Sequence, residues 1–405
     1  MTVLKGFRGG TDRTISPHET VERVRPFMAA MGITRIANIT GLDSIGIPVV
    51  MVCRPNSRSL AVSQGKGLDL AAARASGVME SVESYHAERI HHPLKRASFE
   101  ELRYTHTLVD IDGLPQMRGS PFHKDLQILW IEGQNLLSDG QAWVPYELVH
   151  TNYTYPPLAG EGCFLCSSNG LASGNHVLEA ISHAICEVVE RDASALFDLL
   201  GQDGQAERRV DLRTVDDPEC LEVLRRFDRA GVEAAAWDIT SDVGIPAFVG
   251  QIVDRSDDPA RALYACGGMG CHPTRRIALL RALTEAAQGR LTAIAGSRDD
   301  LPRAEYERTR SVDAVQDYRT RTEAQGTRDF HCTPNYESDS FDEDVAWELD
   351  QLRRIGISQV VAIDLTRSEF RIPVVRVVIP GLEGANMHPN YRAGARARAV
   401  LQATR

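Results

Sequence analysis

The sequence predicts an α/β fold of internally repeated strand-pair and helix units, with antiparallel or mixed sheets and helices that converge on a central site. Three observations predict this fold. A strand-pair pattern occurs three times, a helix pattern that contains glutamate also occurs three times, and a glycine-containing segment precedes each of those helices. A motif that recurs within one chain indicates that one supersecondary unit is used several times.

The strand-pair repeat has the same order of features in each copy. The three copies are MGITRIANITGLDSIGIPVVMV from Met31, AGVEAAAWDITSDVGIPAFVGQIV from Ala230 and IGISQVVAIDLTRSEFRIPVVRVVIP from Ile355. Each begins at the end of a helix-like stretch, where Gly32, Gly231 or Gly356 is a predicted C-terminal cap. A β-rich run, a polar turn, Ile-Pro and a second β-rich run follow. The pattern therefore predicts helix–strand–turn–strand three times.

The helix repeat follows the pattern A-x3-[GA]-x2-E-x2-[EQ]. Its members are Ala73, Gly77, Glu80 and Glu83, then Ala180, Ala184, Glu187 and Glu190, then Ala278, Ala282, Glu285 and Gln288. At 3.6 residues per turn these positions share one side of a helix, and the small residues predict close approach to another backbone. The preceding segments SQGKG, SSNGLASGN and CGGMGCHP are expected to offer backbone N–H groups to anions.

If the three helices converge, their five glutamates gather around one space, and Gln288 adds an amide oxygen. Crowded carboxylates need compensating positive charge, and Mg²⁺ that holds phosphates is the commonest arrangement of this kind. Arg191 and Arg290 are candidate phosphate ligands. A single E-x2-E pair usually faces water, but three copies in one register favour a metal or anion site. The chain has no Walker-type phosphate-binding sequence and no kinase signature.

Composition excludes several classes of protein. The 405 residues are 43% hydrophobic and 25% charged, and the net charge of -10 argues against non-specific nucleic-acid binding. No apolar stretch approaches the roughly 18–20 residues that span a membrane, and the N-terminus does not resemble a signal peptide. The eight scattered cysteines suit a cytoplasmic protein with reduced thiols. For the close pairs Cys163–Cys166 and Cys266–Cys271, local packing is favoured over structural zinc.

At these residues the chain resembles YcaO-domain proteins. The resemblance is carried by GKGLDLAAARASGVMESVESYHAE, SSNGLASGNHVLEAISHAICEVVERDA and GGMGCHPTRRIALLRALTEAAQGRLTAIAGSRDD. It implies one unit over residues 1–405, with a core at about 58–300 and flanking parts that contain repeats. It also implies a central nucleotide site, with ATP and Mg²⁺ as cofactors. In this family ATP phosphorylates the oxygen of a peptide bond and a nucleophile then displaces phosphate, giving an azoline with a side chain or a thioamide with sulfide.

The resemblance also implies the site residues. The implied metal ligands are Glu80, Glu83, Glu187, Glu190 and Glu285. The implied nucleotide-binding residues are Arg13, Ser76, Asn175, Glu179, Arg191, Gln288 and Arg290. Arg13 is chosen as the basic residue near the N-terminus, with Lys5 and Arg8 as rivals. His183, four residues after Glu179, is expected to support the site as a polar neighbour rather than as a base.

Two departures from the YcaO family pattern and one further resemblance indicate which type of YcaO protein the chain resembles. Ser84 follows Glu83 where many members have arginine, so one cationic partner is either missing or supplied elsewhere. The C-terminal HPNYRAGARARAVLQATR reads as helix and lacks the proline-rich tail of azoline-forming members. The N-terminal KGFRGGTDRTISPHETVERVRP resembles stand-alone members that pair with a TfuA protein, and no additional leader-binding domain is expected.

The leading hypothesis is therefore thioamidation of a peptide or protein with a TfuA-type partner. An azoline-forming cyclodehydratase and a nucleotide-binding accessory protein are the alternatives, and a homodimer is left open.

Overall fold

The computed structural model describes residues 2–138, 140–158, 160–256, 264–384 and 388–403. Its α-helices are α1 Pro17–Val24, α2 Leu70–Ala87, α3 Phe99–Leu102, α4 Val177–Asp198, α5 Gln202–Glu207, α6 Pro218–Arg229, α7 Arg275–Ala295, α8 Arg303–Arg308, α9 Val312–Glu323, α10 Phe341–Arg354 and α11 Ala395–Ala403. Its strands are β1 Arg35–Asn38, β2 Val49–Cys53, β3 Val62–Lys66, β4 Leu94–Ala97, β5 Ile128–Asn135, β6 Gln141–Pro145, β7 Leu171–Ser173, β8 Val232–Asp238, β9 Ala247–Asp254, β10 Ala265–Cys271, β11 Val361–Asp364 and β12 Val374–Val378.

The predicted strand pairs are β1–β2, β8–β9 and β11–β12, and all three are antiparallel. Each pair gains a third antiparallel strand, so that the sheets contain the orders β1-β2-β3, β8-β9-β10 and β11-β12-β7. A long helix follows the third strand in each case: α2, α7 or α4. The α/β fold with repeated strand-pair and helix units is confirmed.

The third unit is assembled from two distant parts of the chain. Its strand pair, β11–β12, is C-terminal, whereas its third strand and helix, β7 and α4, lie in the middle of the sequence. Strand β12 pairs with β7 through Val374 opposite Ser173 and Val375 opposite Ala172. On its other side β11 pairs with β5, which extends this sheet to β4 and β6.

The glycine caps of the strand-pair repeat are confirmed. Gly32, Gly231 and Gly356 have φ angles of 74°, 69° and 84°. This left-handed conformation is open to glycine at little cost and ends the preceding helical stretch before each first strand. The same turn therefore directs the chain into all three strand pairs.

The glycine-containing segments before the repeat helices form the third strands or flank them. A Cβ atom at Gly65 of β3 would lie 2.0 Å from the Gly77 nitrogen and 2.1 Å from the Ala73 oxygen. A Cβ at Gly270 of β10 would lie 2.1 Å from the Ala278 oxygen. The glycines thus allow strand and helix backbones to touch, and the predicted role of the small helix residues is confirmed.

Two regions outside the repeats contain further strands and helices. The stretch from about 93 to 158 contains β4, β5 and β6, and its Trp130 and Ile131 are fully buried. Residues 301–344 contain α8 and α9. All eight cysteines are free, and no described helix is both long and apolar enough to cross a bilayer.

Candidate active site

A cavity of about 690 Å³ lies where α2, α4 and α7 meet. Its lining includes all six acidic or amide positions of the helix repeat, namely Glu80, Glu83, Glu187, Glu190, Glu285 and Gln288. The small residues on the same helix faces bring the three backbones close to their strands, and the longer side chains then project between the helices. The convergence expected from the repeat is present.

Glu83 of α2 contacts the short strand β7. Its carboxylate accepts hydrogen bonds from the Ser173 backbone N–H at 2.8 Å and from the Ser173 hydroxyl at 2.7 Å. Burial raises the pKa of Glu83 to about 8 against the effect of these bonds, and the neighbouring Glu80 adds to the rise. Burial likewise raises the pKa of Glu80 to about 7, although nearby cations oppose it.

On α4, Glu187 and Glu190 face the cavity one turn apart. Burial raises the pKa of Glu190 to about 7, although the guanidinium of Arg191 lies 3.4 Å from its carboxylate. Burial also raises the pKa of Glu187, again against the effect of Arg191. Together with Glu80 and Glu83, four carboxylates of the cavity are harder to ionise than a glutamate in water.

Glu285 of α7 has a different environment. The Lys66 ammonium lies 2.5 Å from one carboxylate oxygen, and the Met269 backbone N–H donates to the other at 3.3 Å. Burial opposes ionisation, but Lys66 and then Arg191 outweigh it and lower the pKa of Glu285. Gln288, one turn further, donates to the backbone oxygen of Gln64 at 3.4 Å.

The N-terminal segment enters the cavity at Arg13. The Arg13 guanidinium lies 3.6 Å from Glu179 of α4, whose carboxylate also accepts bonds from the backbone N–H and hydroxyl of Thr14 at 3.0 and 2.9 Å. The rival residues are placed elsewhere: Lys5 is buried between two aspartates, and Arg8 pairs with Asp339. Among the three basic candidates only Arg13 lines the cavity.

Three further predicted residues line the same space. Ser76 lies one turn before Glu80 and is exposed. The Asn175 side chain donates to the Thr20 hydroxyl at 3.0 Å. His183 also lines the cavity, and its Nε2 contacts the Arg281 guanidinium. Burial and then Arg281 lower the pKa of His183 well below its usual value, which favours the neutral ring expected of a supporting neighbour.

The expectation that Arg290 binds a phosphate is wrong. Its guanidinium is buried in ion pairs with Asp254 at 2.6 Å and Asp43 at 3.3 Å, outside the described cavity lining. The reason is helical geometry. Arg290 follows Glu285 by five residues, which rotates it by about 140° from that side chain around α7.

Three cations of the cavity were not predicted: Lys66, Arg281 and Arg298. Arg281 precedes Glu285 by four residues, so its position on the same helix face was available from the repeat. Lys66 lies in the SQGKG segment, but the direction of its side chain depends on β3 being a strand. Arg298 follows α7 and lowers the pKa of Glu80. It supplies a further cation to the cavity, which Ser84 also lines.

The donor set fits Mg²⁺ that enters with a phosphate ligand. Raised pKa values at Glu80, Glu83, Glu187 and Glu190 show that the cations of the chain do not fully offset the buried negative charge. Among the described residues, however, no three histidine, cysteine or carboxylate side chains are close enough to hold an ion alone. Mg²⁺ commonly takes only one or two carboxylates and completes its coordination with water and phosphate oxygens.

Comparison with known proteins shows which family the chain belongs to. The sequence profile of the family described as YcaO cyclodehydratase, ATP- and Mg²⁺-binding, matches residues 64–383. The chain belongs to the YcaO family. The predicted cofactors, ATP and Mg²⁺, are those of the family.

Two relatives match this YcaO chain over nearly its whole length. A protein of Rhizobium leguminosarum bv. trifolii, described as an uncharacterized protein in the tfuA 3′ region, is 38% identical over 378 residues, or 92% of this chain and 89% of that one. A protein of Methanothermobacter thermautotrophicus is 37% identical over 405 residues, or 96% of this chain and 99% of that one.

Two solved structures share the fold. One is a heterocyclase in complex with substrate and cofactor, with a TM-score of 0.77 and 24% identity over 95% of this chain and 54% of that chain. This chain therefore spans about half of the heterocyclase. The other is YcaO from Methanopyrus kandleri bound with AMPPCP and Mg²⁺, with a TM-score of 0.72 and 22% identity over 94% of this chain and 95% of that one.

Proposed function

We propose that this YcaO protein uses Mg²⁺-ATP to activate a backbone amide of a peptide or protein, after which sulfur replaces the amide oxygen to give a thioamide. The observation that carries the ATP-dependent part is the cavity in which carboxylates from three repeated helices face one another. Such a concentration of half-buried and buried carboxylates is costly unless a ligand compensates their charge. A role in catalysis is a better account of it than a role in stability.

Each group of cavity residues has a proposed role. The metal ligands are Glu80, Glu83, Glu187, Glu190 and Glu285. The phosphate-binding cations are Arg13 and Arg191, to which we add Lys66, Arg281 and Arg298. Ser76, Asn175, Glu179 and Gln288 line the nucleotide. When bound, ATP supplies the phosphoryl group that makes the amide oxygen a leaving group, and Mg²⁺ offsets phosphate charge. The chain orients both reactants and limits the access of water.

One observation supports sulfur as the nucleophile. The Rhizobium relative is described by its position beside tfuA, and we propose a TfuA-type partner that delivers sulfur to this chain. The predicted C-terminal helix, α11, contacts α4 through Arg396 and Asp192 at 2.8 Å. The described cavity lining contains no residue beyond Leu301, so α11 does not line the cavity.

Azoline formation is the second candidate, because the family description names a cyclodehydratase. In that reaction the nucleophile is a side chain of the substrate itself, so no external sulfur is needed. An accessory protein would bind Mg²⁺-ATP and leave peptides unchanged.

We place the reaction in the cytoplasm, where ATP is available and the eight free thiols would stay reduced. A homodimer remains a prediction.

The test is mass spectrometry of candidate peptides after incubation with the purified chain, ATP, Mg²⁺, sulfide and a TfuA-type partner. We expect the mass gain of one oxygen replaced by sulfur, and no change with the Glu190→Gln variant. Loss of one water without any sulfur source would contradict thioamidation and support cyclodehydration. ATP binding with every peptide unchanged would support the accessory role.

A further inference from the structure

The N-terminal strap, residues 3–16, is tied to three helices, and its Gly9, Gly10, Thr11 and Arg13 line the cavity. Its first residues pair with 339–341 at the start of α10, where the Phe341 N–H donates to Val3 at 2.9 Å. The Gly10 N–H donates to both carboxylate oxygens of Glu219 on α6 at 3.0 and 3.1 Å. Thr14 donates hydrogen bonds to the carboxylate of Glu179 on α4 through its backbone N–H and its hydroxyl. The strap is therefore fixed at its start, middle and end.

Lys5 makes the most buried of the strap's contacts. Its side chain is 1% exposed, and its ammonium lies 2.9 Å from Asp12 of the strap and 2.7 Å from Asp344 of α10. Asp344 is itself 0% exposed. Buried charges of this kind depend on one another, because removal of one partner leaves the others without compensation. Lys5 therefore joins two distant aspartates that would otherwise repel each other.

The Lys5–Asp12 contact sets the turn that carries Arg13. Phe7 and Arg13 exchange two backbone hydrogen bonds, both 2.9 Å long, and so close a turn over residues 7–13. Asp12 directly precedes Arg13, and the Asp12 carbonyl accepts a bond from the Arg13 guanidinium at 3.1 Å. The backbone on one side of Arg13 is thus anchored to α10 through Lys5.

We propose that Lys5 is a positioning residue, which acts through Asp12 to hold Arg13 in the cavity. The proposal rests on the proposed function, in which Arg13 contacts the phosphates of ATP. Arginine has a long side chain with many rotamers, so a fixed backbone and a fixed first contact reduce the freedom lost on binding. Without Lys5, Asp12 and Asp344 repel, the turn shifts and Arg13 spends less time in its binding position.

The experiment is a double-mutant cycle on Mg²⁺-ATP affinity, measured by calorimetry with the full chain. We expect Arg13→Gln to weaken binding by about tenfold or more, the effect of one charge-assisted contact. Lys5→Met is expected to weaken binding by about three- to tenfold. In the Arg13→Gln background Lys5→Met should cause no further loss, because its effect passes through Arg13. An equal loss in both backgrounds would overturn the positioning role.

Two further variants separate positioning from general destabilisation. Asp12→Asn keeps the side-chain volume of Asp12 and tests the positioning role even if Lys5→Met does not fold. We expect it to weaken Mg²⁺-ATP binding in the unaltered chain and to cause no further loss in the Arg13→Gln background. Arg54→Met is the matched control, since Arg54 forms a similarly buried ion pair with Glu88 at 2.7 Å and does not line the cavity. It should lower Tm without weakening ATP binding.

The two proposals fail in different ways. If Arg13→Gln weakens binding while Asp12→Asn and Lys5→Met bind normally, the positioning role is overturned and the ATP site stands. If Arg54→Met weakens binding as much as Lys5→Met does, the positioning role is also overturned. If the unaltered chain binds no Mg²⁺-ATP, the proposed function fails and the positioning role fails with it. If the unaltered chain binds Mg²⁺-ATP and Arg13→Gln has no effect, the positioning role is overturned and the ATP site stands.

Discussion

Glutamates in this cavity differ in how their charge is compensated. Glu285 is held ionised by Lys66, whereas Glu80, Glu83 and Glu190 have pKa values raised by burial to about 7, 8 and 7. A fold selected only for stability would place apolar side chains at these positions, since buried carboxylates without full compensation are unfavourable. The presence of these carboxylates is explained if a cationic ligand completes the site.

Replacement of a metal ligand by its amide should separate function from folding. We expect Glu187→Gln and Glu190→Gln each to reduce peptide turnover by about 100-fold or more, because each removes an anionic ligand at constant volume. The ligand-free Tm should be unchanged or raised, since repulsion among buried carboxylates is relieved. Glu132→Gln, at an exposed carboxylate of β5, is the control. Normal turnover in both cavity variants would refute the ligand role.

The raised pKa of Glu83 also predicts how the stability of the ligand-free protein depends on pH. An acid whose pKa is higher in the folded chain binds more protons there, so the free energy of unfolding falls as pH rises. For Glu83 the fall extends from the ordinary value of 4.5 to about 8. Thermal denaturation at several pH values should show a steeper loss of Tm for the unaltered chain than for Glu83→Gln. Parallel curves would contradict the assignment.

Sequence reasoning located most of the site because the repeat fixes a common register. Glu80, Glu187 and Glu285 could be aligned without knowledge of the fold, and their convergence followed from the small residues beside them. Arg290 was misassigned because proximity in sequence was taken for proximity on the helix face. Lys66 was missed because the direction of a strand side chain depends on pairing, which a single segment does not specify.

At the scale of single elements, glycines in a strand and small residues on the facing helix determine how closely the two backbones pack. Gly65→Ala should lower the free energy of unfolding by about 2 kcal/mol or more, because its Cβ would lie within 2.1 Å of the α2 backbone. Gly41→Ala is the matched control, as a Cβ there meets nothing within 4 Å. Chemical denaturation of both variants gives the comparison, and equal stability would contradict close packing.

The three predicted strand pairs are present because each carries local signals: a glycine cap, two β-rich runs and a polar turn before Ile-Pro. The joining of β7 to β12 carries no such signal. The two strands are separated by about half of the chain, and β7 contains only Leu171–Ser173. Long-range pairing of a short strand is decided by the packing of α4, so local patterns predicted the elements but not the third sheet.

At the scale of the whole molecule, the split third unit joins the middle of the chain to its C-terminal part. The N-terminal strap adds a further link between α10, α6 and α4. We propose that residues 1–405 unfold as one unit, and we expect a single calorimetric transition whose van't Hoff and calorimetric enthalpies agree. Two separate transitions in the ligand-free chain would contradict this organisation.

The central claim is that the carboxylate-lined cavity binds ATP through divalent cations. Without a cation, the negative charges of triphosphate and of the cavity glutamates repel each other at short range. The most direct measurement is titration calorimetry of ATP into the purified chain, once with Mg²⁺ and once with excess chelator. We expect saturable binding with Mg²⁺ and little or none with chelator. Equal affinity under both conditions would contradict it.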